Sequence, residues 1–485
     1  MGRAHSCRHH RGRPDSRRTP RLPRPAARRA GRRTPVLWHI VRVLPRPQMK
    51  GLTIMGSPHL LLLAGIGGHA PDEALDSLST LTDAVSVVYV TAWRPSKQAR
   101  ADWERRGLRG EFLDAADLDA AVEAAAALHG RMLLDGVVTY SELLLRPQAD
   151  IASRLGLPGN SPEAVAVAQS KARQRLVFAE HGVPSPEFEM ITSVRDLAAA
   201  AARVGLPGVF KPSLGAGSQS VRLVSTYAEL IHAFTTARAE KTAFLQSDEA
   251  YLLEQRMALE SDGDSGYAAY CSVESLLADG TAHHLGISDR LPLEHGYAEE
   301  GLVLPSRLDE ATRAAVVDVA DRAIRAIGLA WGAVHTEIAL TADGPRVIEV
   351  NARAGGPLPT MFKVAAGYDY AAEIGRSALG LRPSRLPEFT RIALLRFLPI
   401  PAGNWRVAAQ TPVEEVLRAF PELVYVSPRF TPGQHASRQR TLHLASFMVD
   451  APDRDTARTV TRQVERALGI RLVPGFDATT GVDRG

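Results

Sequence analysis

The stretch at positions 335–356, HTEIALTADGPRVIEVNARAGG, constrains the fold of this 485-residue chain more than any other. Two segments of β-type composition flank the Asp-Gly pair at 343–344, and in the second segment Glu349, Asn351 and Arg353 recur at every other position. Since successive side chains of a strand point to opposite faces, these three polar side chains share one face. The pattern predicts a β-hairpin with a polar face and an apolar back. An amphipathic hairpin whose charged face meets solvent would show the same pattern.

The length of the turn decides which side chains of the hairpin oppose each other. A two-residue Asp-Gly turn would pair Glu337 with Val350 and leave its carboxylate on the opposite face from Glu349. A three-residue loop at 342–344, with its glycine in the left-handed conformation, places Glu337 directly opposite Glu349. Two carboxylates in that position repel each other, so this register favours a bound cation. With the amide oxygen of Asn351 they form a ligand set that suits Mg²⁺.

The first 49 residues differ in composition from the rest of the chain. They contain fourteen arginines and a single acidic residue, Asp15, which gives them a charge of +13. Because the whole chain carries +5, residues 50–485 carry −8 and are mildly acidic. The basic character belongs to a Pro/Arg-rich tail that can bury little apolar surface, so it does not indicate a folded nucleic-acid-binding module. We expect 1–49 to be disordered and to be an over-extended gene start, with Met49 or Met55 as the true beginning. An anion-binding tail and an organelle-type presequence are the alternatives.

Cysteine usage and apolar run lengths bound the compartment. The two cysteines, Cys7 and Cys271, are too few for a disulfide framework or a cysteine-based metal site. A cytoplasmic protein is the simplest inference. The apolar run at 60–68 has the length of a buried strand and falls short of the ~20 residues that span a bilayer. We therefore expect neither a membrane partner nor a specific nucleic-acid partner.

The body of the chain opens with an α/β pattern. An apolar run at 60–66 ends in a glycine-rich turn, which is typical of a first parallel strand. Further strands are predicted at 86–89 and 136–140, with a helix at 115–128 between them. The turn reads GIGGHA, which does not match the GxGxxG dinucleotide fingerprint. The sequence predicts a structural doubly wound domain without a dinucleotide.

Two lysines in the middle of the chain are candidate phosphate ligands. Lys171 lies on a helix predicted at 161–181, with Ser161 as its cap and Pro162 in its first position. Lys211 ends a predicted strand and is followed by a loop, PSLGAGSQS at 212–220, whose small residues can turn backbone N–H groups toward one phosphate. An ordinary surface loop beside a lysine is the alternative interpretation.

Five segments, in this order within residues 60–385, together resemble the ATP-grasp superfamily. They are LGLPGNSPEAVAVAQSKARQRLVFAEHGVPSPEF at 155–188, VFKPSLGAGSQSV at 209–221, YLLEQRM at 251–257, SVESLLADG at 272–280, and the hairpin at 335–356. Within the superfamily the chain is most similar to the carboxylate–amine ligases that include L-amino acid (dipeptide) ligases. In those ligases HTE on the first metal strand recurs, as does a segment like EEGLVLPS at 299–306.

The resemblance implies a nucleotide site. Lys171 and Lys211 would hold the α- and β-phosphates, and the loop 213–220 would close over the β- and γ-phosphates. Residues 254–257 would form the hinge whose backbone reads adenine, with Glu260 at the ribose. The positions concerned are Lys171, Lys211, Ser213, Gly215, Gly217, Ser218, Ser220, Glu254, Gln255, Met257 and Glu260. The implied cofactors are ATP and Mg²⁺, with Mn²⁺ as an alternative ion, and the metal ligands would be Glu337, Glu349 and Asn351.

The resemblance also implies a substrate site. Arg353 would lie at the acyl phosphate and the transferred γ-phosphoryl group, and Glu299 or Glu300 would lie near the amino substrate. Four further positions are assigned to the substrate: His335, Gly355, Gly356 and Pro357. The two glycines would let backbone N–H groups approach the substrate carboxylate. In some relatives a bulky aromatic residue in place of Pro357 limits substrate size, so proline implies a different acceptor here.

The implied fold combines α/β and α+β parts in an ATP-grasp arrangement. Residues 50–157 would form an N-terminal Rossmann-like domain, 158–385 the ATP-grasp domain with ATP between its two subdomains, and 386–485 a small α+β lid domain. The implied activity is that of an ADP-forming ligase, which makes an acyl phosphate from a small carboxylate and couples it to an amine. A biotin-carboxylase-like or purine-pathway enzyme and a non-catalytic ATP-binding regulator are the alternatives. The oligomeric state is open, with a homodimer as one alternative.

Overall fold

A computed structural model describes residues 57–91, 94–106, 108–215, 221–239, 250–259, 266–293, 299–437 and 442–475. The predicted tail lies outside the described residues, as do four of the predicted nucleotide contacts, Gly217, Ser218, Ser220 and Glu260. Within the described ranges, no helix is both long enough and apolar enough to cross a membrane.

The N-terminal part is a parallel four-stranded sheet. Its strands are β1 (His59–Ala64), β2 (Ala84–Val90), β3 (Phe112–Ala115) and β4 (Gly136–Thr139), in the order β3-β2-β1-β4. The helices are α1 (Pro71–Leu78), α2 (Lys97–Glu104), α3 (Leu118–His129) and α4 (Leu145–Leu155). β1 and β2 are buried at every position because helices cover both faces of the sheet. The predicted doubly wound arrangement is confirmed, although the short strand β3 was not predicted.

The helix predicted at 161–181 is two helices. The first, α5 (Pro162–Ala168), is capped by the side chain of Ser161 as expected. The second, α6 (Lys171–Glu180), has its own cap, because the Ser170 hydroxyl accepts a hydrogen bond from the backbone N–H of Arg173. The prediction of a continuous helix was therefore wrong, and Lys171 occupies the first position of a new helix.

A four-stranded antiparallel sheet follows. It contains β5 (Phe188–Ile191), β6 (Gly208–Pro212), β7 (Arg222–Val224) and β8 (Tyr251–Gln255), in the order β5-β8-β6-β7, with helices α7 (Leu197–Val204) and α8 (Tyr227–Ala239). Phe210 stacks on Tyr251 with ring centroids 5.3 Å apart, and both rings are buried under α8. This packing fixes the neighbouring residue on β6, Lys211, which is itself 5% exposed.

An eight-stranded sheet forms the centre of the molecule. Its strands are β9 (Tyr270–Ala278), β10 (Thr281–Arg290), β11 (Gly301–Leu304), β12 (Gly332–Thr341), β13 (Gly344–Asn351), β14 (Ile392–Pro399), β16 (Leu423–Pro428) and β18 (His443–Ala451). Their order is β13-β12-β9-β10-β11-β14-β18-β16. The helix α9 (Glu310–Ile327) buries an apolar face against β9, β10 and β12. β9 and β10 form a hairpin, and its turn residues Asp279 and Gly280 both have positive φ.

The C-terminal part shares this sheet. Beyond β14, β16 and β18 it contributes helices α12 (Val413–Ala419) and α13 (Arg454–Ala467) and a three-stranded sheet of β15 (Trp405–Ala409), β17 (His435–Ala436) and β19 (Arg471–Pro474). Along the chain, the helices α10 (Leu358–Ala366) and α11 (Tyr370–Ala378) lie between β13 and β14. Because β11 pairs with β14, the boundary predicted at 385–386 falls within a continuous sheet.

Candidate active site

The hairpin of β12 and β13 places Glu337 opposite Glu349, as predicted, but by a different route. Thr341 pairs with Gly344, so the loop has two residues and the prediction of three was wrong. The register then shifts by one residue on β13, where Ile348 has no partner on β12. This β-bulge supplies the residue that the shorter loop lacks. The bulge therefore keeps Glu337 and Glu349 directly opposite each other.

Each of the two carboxylates lies beside a cation. Lys171 Nζ is 2.8 Å from Glu349 Oε1. Arg290 Nη2 is 3.4 Å from Glu337 Oε1, and His335 Nε2 is 3.5 Å from the same oxygen. Burial opposes ionisation of Glu337, but the hydrogen bond with His335 and the charge of Arg290 outweigh burial and lower its pKa to about 2. The pair of like charges is thus tolerated because both carboxylates are neutralised.

The predicted metal ligands offer oxygen atoms only. Glu337 and Glu349 lie on neighbouring strands, and Asn351 follows on β13, where its Oδ1 accepts a hydrogen bond from Arg353 Nη2 at 3.5 Å. Among the described residues no three His, Cys, Asp or Glu side chains converge as a metal site. Two carboxylates and one amide nevertheless fit Mg²⁺, which takes few protein ligands and completes its shell with water and phosphate oxygens.

A second charged cluster surrounds Glu254 on β8. Lys211 Nζ lies 2.8 Å from one of its carboxylate oxygens and Arg175 Nε lies 2.9 Å from the other. All three side chains are almost fully buried. Burial would raise the pKa of Glu254, but Arg175 and Lys211 outweigh it and lower the pKa. Burial also lowers the pKa of Lys211, against the opposing charge of Glu254. One carboxylate therefore holds two cations at the place where phosphate contacts were predicted.

Helix α6 connects this cluster to β13, the strand that carries Glu349. The Gln174 side chain donates to Val350 O at 2.8 Å and accepts from Val350 N at 3.0 Å, so it satisfies the outer edge of β13. Arg175 Nη2 donates to Ile348 O at 2.7 Å, which satisfies the carbonyl of the bulge residue. Lys171, Gln174 and Arg175 thus bring one helix against the strand that carries Glu349.

The start of the predicted phosphate loop packs on the same helix. Lys171 N donates to Ser213 O at 2.9 Å, and the hydroxyls of Ser170 and Ser213 are 3.0 Å apart. Lys171 Nζ also donates to Gly215 O at 3.0 Å. The break before α6 therefore aligns Lys171 with the first residues of the loop. Two predicted hinge residues, Gln255 and Met257, lie at and beyond the end of β8.

Arg353 contacts a residue of the N-terminal part. Its Nε lies 2.9 Å from Glu142 Oε2, and Glu142 belongs to the turn that follows β4. Ligand sites of doubly wound sheets form at the carboxyl ends of neighbouring strands such as β1 and β4. The N-terminal part therefore contributes a carboxylate beside the predicted acyl-phosphate residue.

The two glutamates predicted near the amino substrate have different surroundings. Glu299 contacts Arg290 and is partly exposed, so it belongs to the same cluster as Glu337. Glu300 is 1% exposed and lies 3.0 Å from Arg396 Nη1 on β14. The structure brings Glu299 to the site and does not bring Glu300 there.

The predicted substrate positions around His335 differ in how closely they are packed. His335 Nδ1 lies 2.6 Å from Oε1 of Glu274, which is fully buried on β9. A Cβ on Gly355 would lie 2.6 Å from the same Nδ1, so the glycine permits this close approach. A Cβ on Gly356 would have open space around it, with no atom of the described residues within 4 Å beyond its chain neighbours. Pro357 precedes the first turn of α10.

Five residues of this site were not predicted: Glu142, Gln174, Arg175, Glu274 and Arg290. The helical spacing of Lys171 and Arg175 could have indicated Arg175, since residues four apart share a helix face. Glu274 is the cross-strand partner of His335, but that pairing requires the register of β9 against β12. No pattern in the sequence indicates Glu142 or the role of Arg290.

Comparison with known proteins identifies the family. A sequence model of the ATP-grasp N-terminal domain matches residues 86–159, and one of the ATP-grasp domain matches residues 204–360. The uncharacterized protein y4rH of Sinorhizobium fredii is 32% identical over 378 residues, which cover 75% of this chain and 74% of that protein. The chain belongs to the ATP-grasp family. The predicted family and fold are confirmed.

Two other ATP-grasp proteins extend the comparison. The alanine–anticapsin ligase of Bacillus subtilis is 31% identical over 261 residues, which cover 50% of this chain and 54% of the ligase. The match thus spans about half of that ligase. The crystal structure of an L-amino acid ligase from Bacillus licheniformis superposes with a TM-score of 0.68 at 20% identity, over 87% of this chain and 100% of that chain. This likeness supports the ATP-grasp fold.

Proposed function

We propose that this protein is an ATP-dependent, ADP-forming ligase that activates the carboxylate of an amino acid and joins it to an amine. The observation that carries the proposal is the opposition of Glu337 and Glu349 on a hairpin that also lies against Lys171. The alanine–anticapsin ligase, a relative whose name gives alanine as one of the compounds it joins, supports an amino acid as one substrate.

The reaction has two steps in this proposal. A carboxylate oxygen attacks the γ-phosphorus of ATP, so that an acyl phosphate forms and ADP leaves. The amine nitrogen then attacks the acyl carbon, phosphate leaves, and the nitrogen loses a proton. Positioning and charge neutralisation supply most of the catalysis in such a transfer, so no protein nucleophile is required.

The residues of the site suit these steps. Lys171 and Lys211 provide positive charge for the phosphates, and Arg353 provides it for the transferred phosphoryl group. Glu337, Glu349 and Asn351 would hold Mg²⁺, which when bound would neutralise phosphate charge. In the structure both lysines are paired with carboxylates, so a bound phosphate would share cations that are already in position.

A substrate screen tests the proposal. Purified protein is incubated with ATP, Mg²⁺ and pairs of amino acids, and ADP, AMP and phosphate are measured together with the mass of any condensation product. We expect ADP and phosphate in equal amounts, only when both substrates are present. Release of AMP and pyrophosphate would contradict the proposal. ADP release that depends on bicarbonate and needs no amine would favour the carboxylase-type alternative.

Substitution of the metal strand gives a second test. Glu349→Gln removes a charge and keeps the side-chain size, so it should reduce turnover by at least about 100-fold while the circular dichroism spectrum stays unchanged. Glu300→Gln is a matched control, because this glutamate directly precedes β11 and pairs with Arg396, which is on β14. Full activity of the Glu349 variant would refute its role at the metal.

A further inference from the structure

Arg290 occupies a junction that the predicted site did not include. It ends β10, is 2% exposed, and reaches residues from β9, β12 and the segment before β11. Its Nη2 lies 3.0 Å from Ser272 Oγ, 3.0 Å from His335 Nε2 and 3.4 Å from Glu337 Oε1, and its Nη1 contacts Glu299.

The two terminal nitrogens of Arg290 thus serve different parts of the site. Nη2 faces Glu337, the predicted metal ligand. Nη1 faces Glu299, which was predicted to lie near the amino substrate. A planar guanidinium can hold two carboxylates at a fixed separation, whereas a lysine ammonium is a single point charge on a flexible stem. The side chain is held in place by Ser272 and by the ring of Tyr270, 5.6 Å away.

We propose that Arg290 is a positioning residue that fixes the carboxylate of Glu337, the predicted metal ligand, relative to the carboxylate of Glu299, which is predicted to lie near the amine. The inference rests on the proposed ligase function and extends it, because it couples metal binding to amine binding through one side chain. A purely structural role, in which Arg290 only joins β10 to β12, would require no contact with Glu299. That contact involves a carboxylate that is partly exposed, at 34%, and so is available to a substrate.

The test compares Arg290→Lys with a matched control. Arg454→Lys is suitable, since Arg454 Nη1 lies 3.2 Å from Asp289 Oδ2 and so supports β10 from its opposite face. Two measurements are made. Electron paramagnetic resonance gives the dissociation constant of Mn²⁺ in the presence of ADP, and steady-state kinetics give kcat and KM for the amine.

We expect Arg290→Lys to weaken Mn²⁺ binding by about 10- to 100-fold and to raise the amine KM by about tenfold or more, with ADP affinity in the absence of metal unchanged. Glu299→Gln should raise the amine KM alone. Arg454→Lys should change neither constant. Ser272→Ala, which removes one anchor of Nη2, should shift both constants in the same direction by about threefold.

Several outcomes would overturn the inference. It fails if Arg290→Lys keeps both constants within twofold of the wild type, or if Arg454→Lys produces the same losses. If Arg290→Lys does not fold, an unchanged Mn²⁺ constant in Ser272→Ala refutes it. If the wild type couples no amine, the proposed ligase function fails, and the Mn²⁺ measurement still decides whether Arg290 positions Glu337.

Discussion

Gln174 should stabilise β13, the strand that carries Glu349. Its side chain is fully buried and makes three hydrogen bonds, to Ala168 O at 2.7 Å and to both backbone groups of Val350. Gln174→Met keeps the length of the side chain and removes all three. Two of the three bonds hold β13, so at about 1 kcal/mol for each, local opening of β13 should become easier by about 2 kcal/mol.

Hydrogen exchange measures this effect directly. Since about 1.4 kcal/mol corresponds to a tenfold change in an equilibrium constant, peptides from β13 should exchange about 30-fold faster in the variant. Gln148→Met is the matched control, because Gln148 makes one such bond, to Val137 O at 3.0 Å, in the N-terminal sheet. That control should leave β13 unchanged. Exchange of β13 within threefold of the wild type in Gln174→Met would refute the reasoning.

Three further predictions concern packing and charge. Gly355→Ala should reduce turnover by about 100-fold, because its Cβ would lie 2.6 Å from His335 Nδ1; steady-state kinetics on the folded variant check this, and full activity would contradict it. Lys211→Met should lower the free energy of unfolding, measured in urea, by about 3–5 kcal/mol, because it leaves Glu254 with one cation. Adding Glu254→Gln should restore part of that loss. No recovery in the double variant would contradict the interpretation that Lys211 neutralises Glu254. Burial lowers the pKa of His69 from 6.5 to about 4, so the unfolded state takes up the proton first as the pH falls. The contribution of neutral His69 to the free energy of unfolding is therefore present above pH 6.5, and it should fall by about 2 kcal/mol between pH 7.5 and 5. His69→Gln should flatten this dependence in melting temperatures, and an equal drop in both proteins would exclude His69 as its cause.

The hairpin was predictable because it depends on local rules. Alternation placed Glu349 and Asn351 on one face, and a cation bound between two carboxylates accounts for the register that opposes Glu337 to Glu349. The bulge was not predictable, because it depends on hydrogen bonds from Gln174 and Arg175 to the outer edge of β13. These contacts join segments about 175 residues apart in the chain, and hydrophobic periodicity carries no information about them.

The helix break and the shared sheet were missed for related reasons. The composition of residues 161–181 favours a helix throughout. The cap at Ser170 is stabilised only because Ser213, from a later part of the chain, lies beside it. Likewise, β14 and β18 coincide with apolar runs in the sequence, at 392–398 and 442–449. Their membership of the central sheet depends on pairing with β11, and strand pairing at this separation has no signature in a single sequence.

The bulge at Ile348 changes how length variation in this hairpin should be interpreted. The number of residues between the two carboxylates is what sets their opposition, and a two-residue loop with a bulge or a three-residue loop without one gives the same number. A chain that gained one loop residue could therefore lose Ile348 and keep its carboxylates aligned, whereas either change alone would turn Glu349 toward the wrong face. Insertions and deletions in the turn and at the bulge should consequently occur as compensating pairs, and the spacing between the glutamates is a better guide to a working hairpin than the identity of its turn.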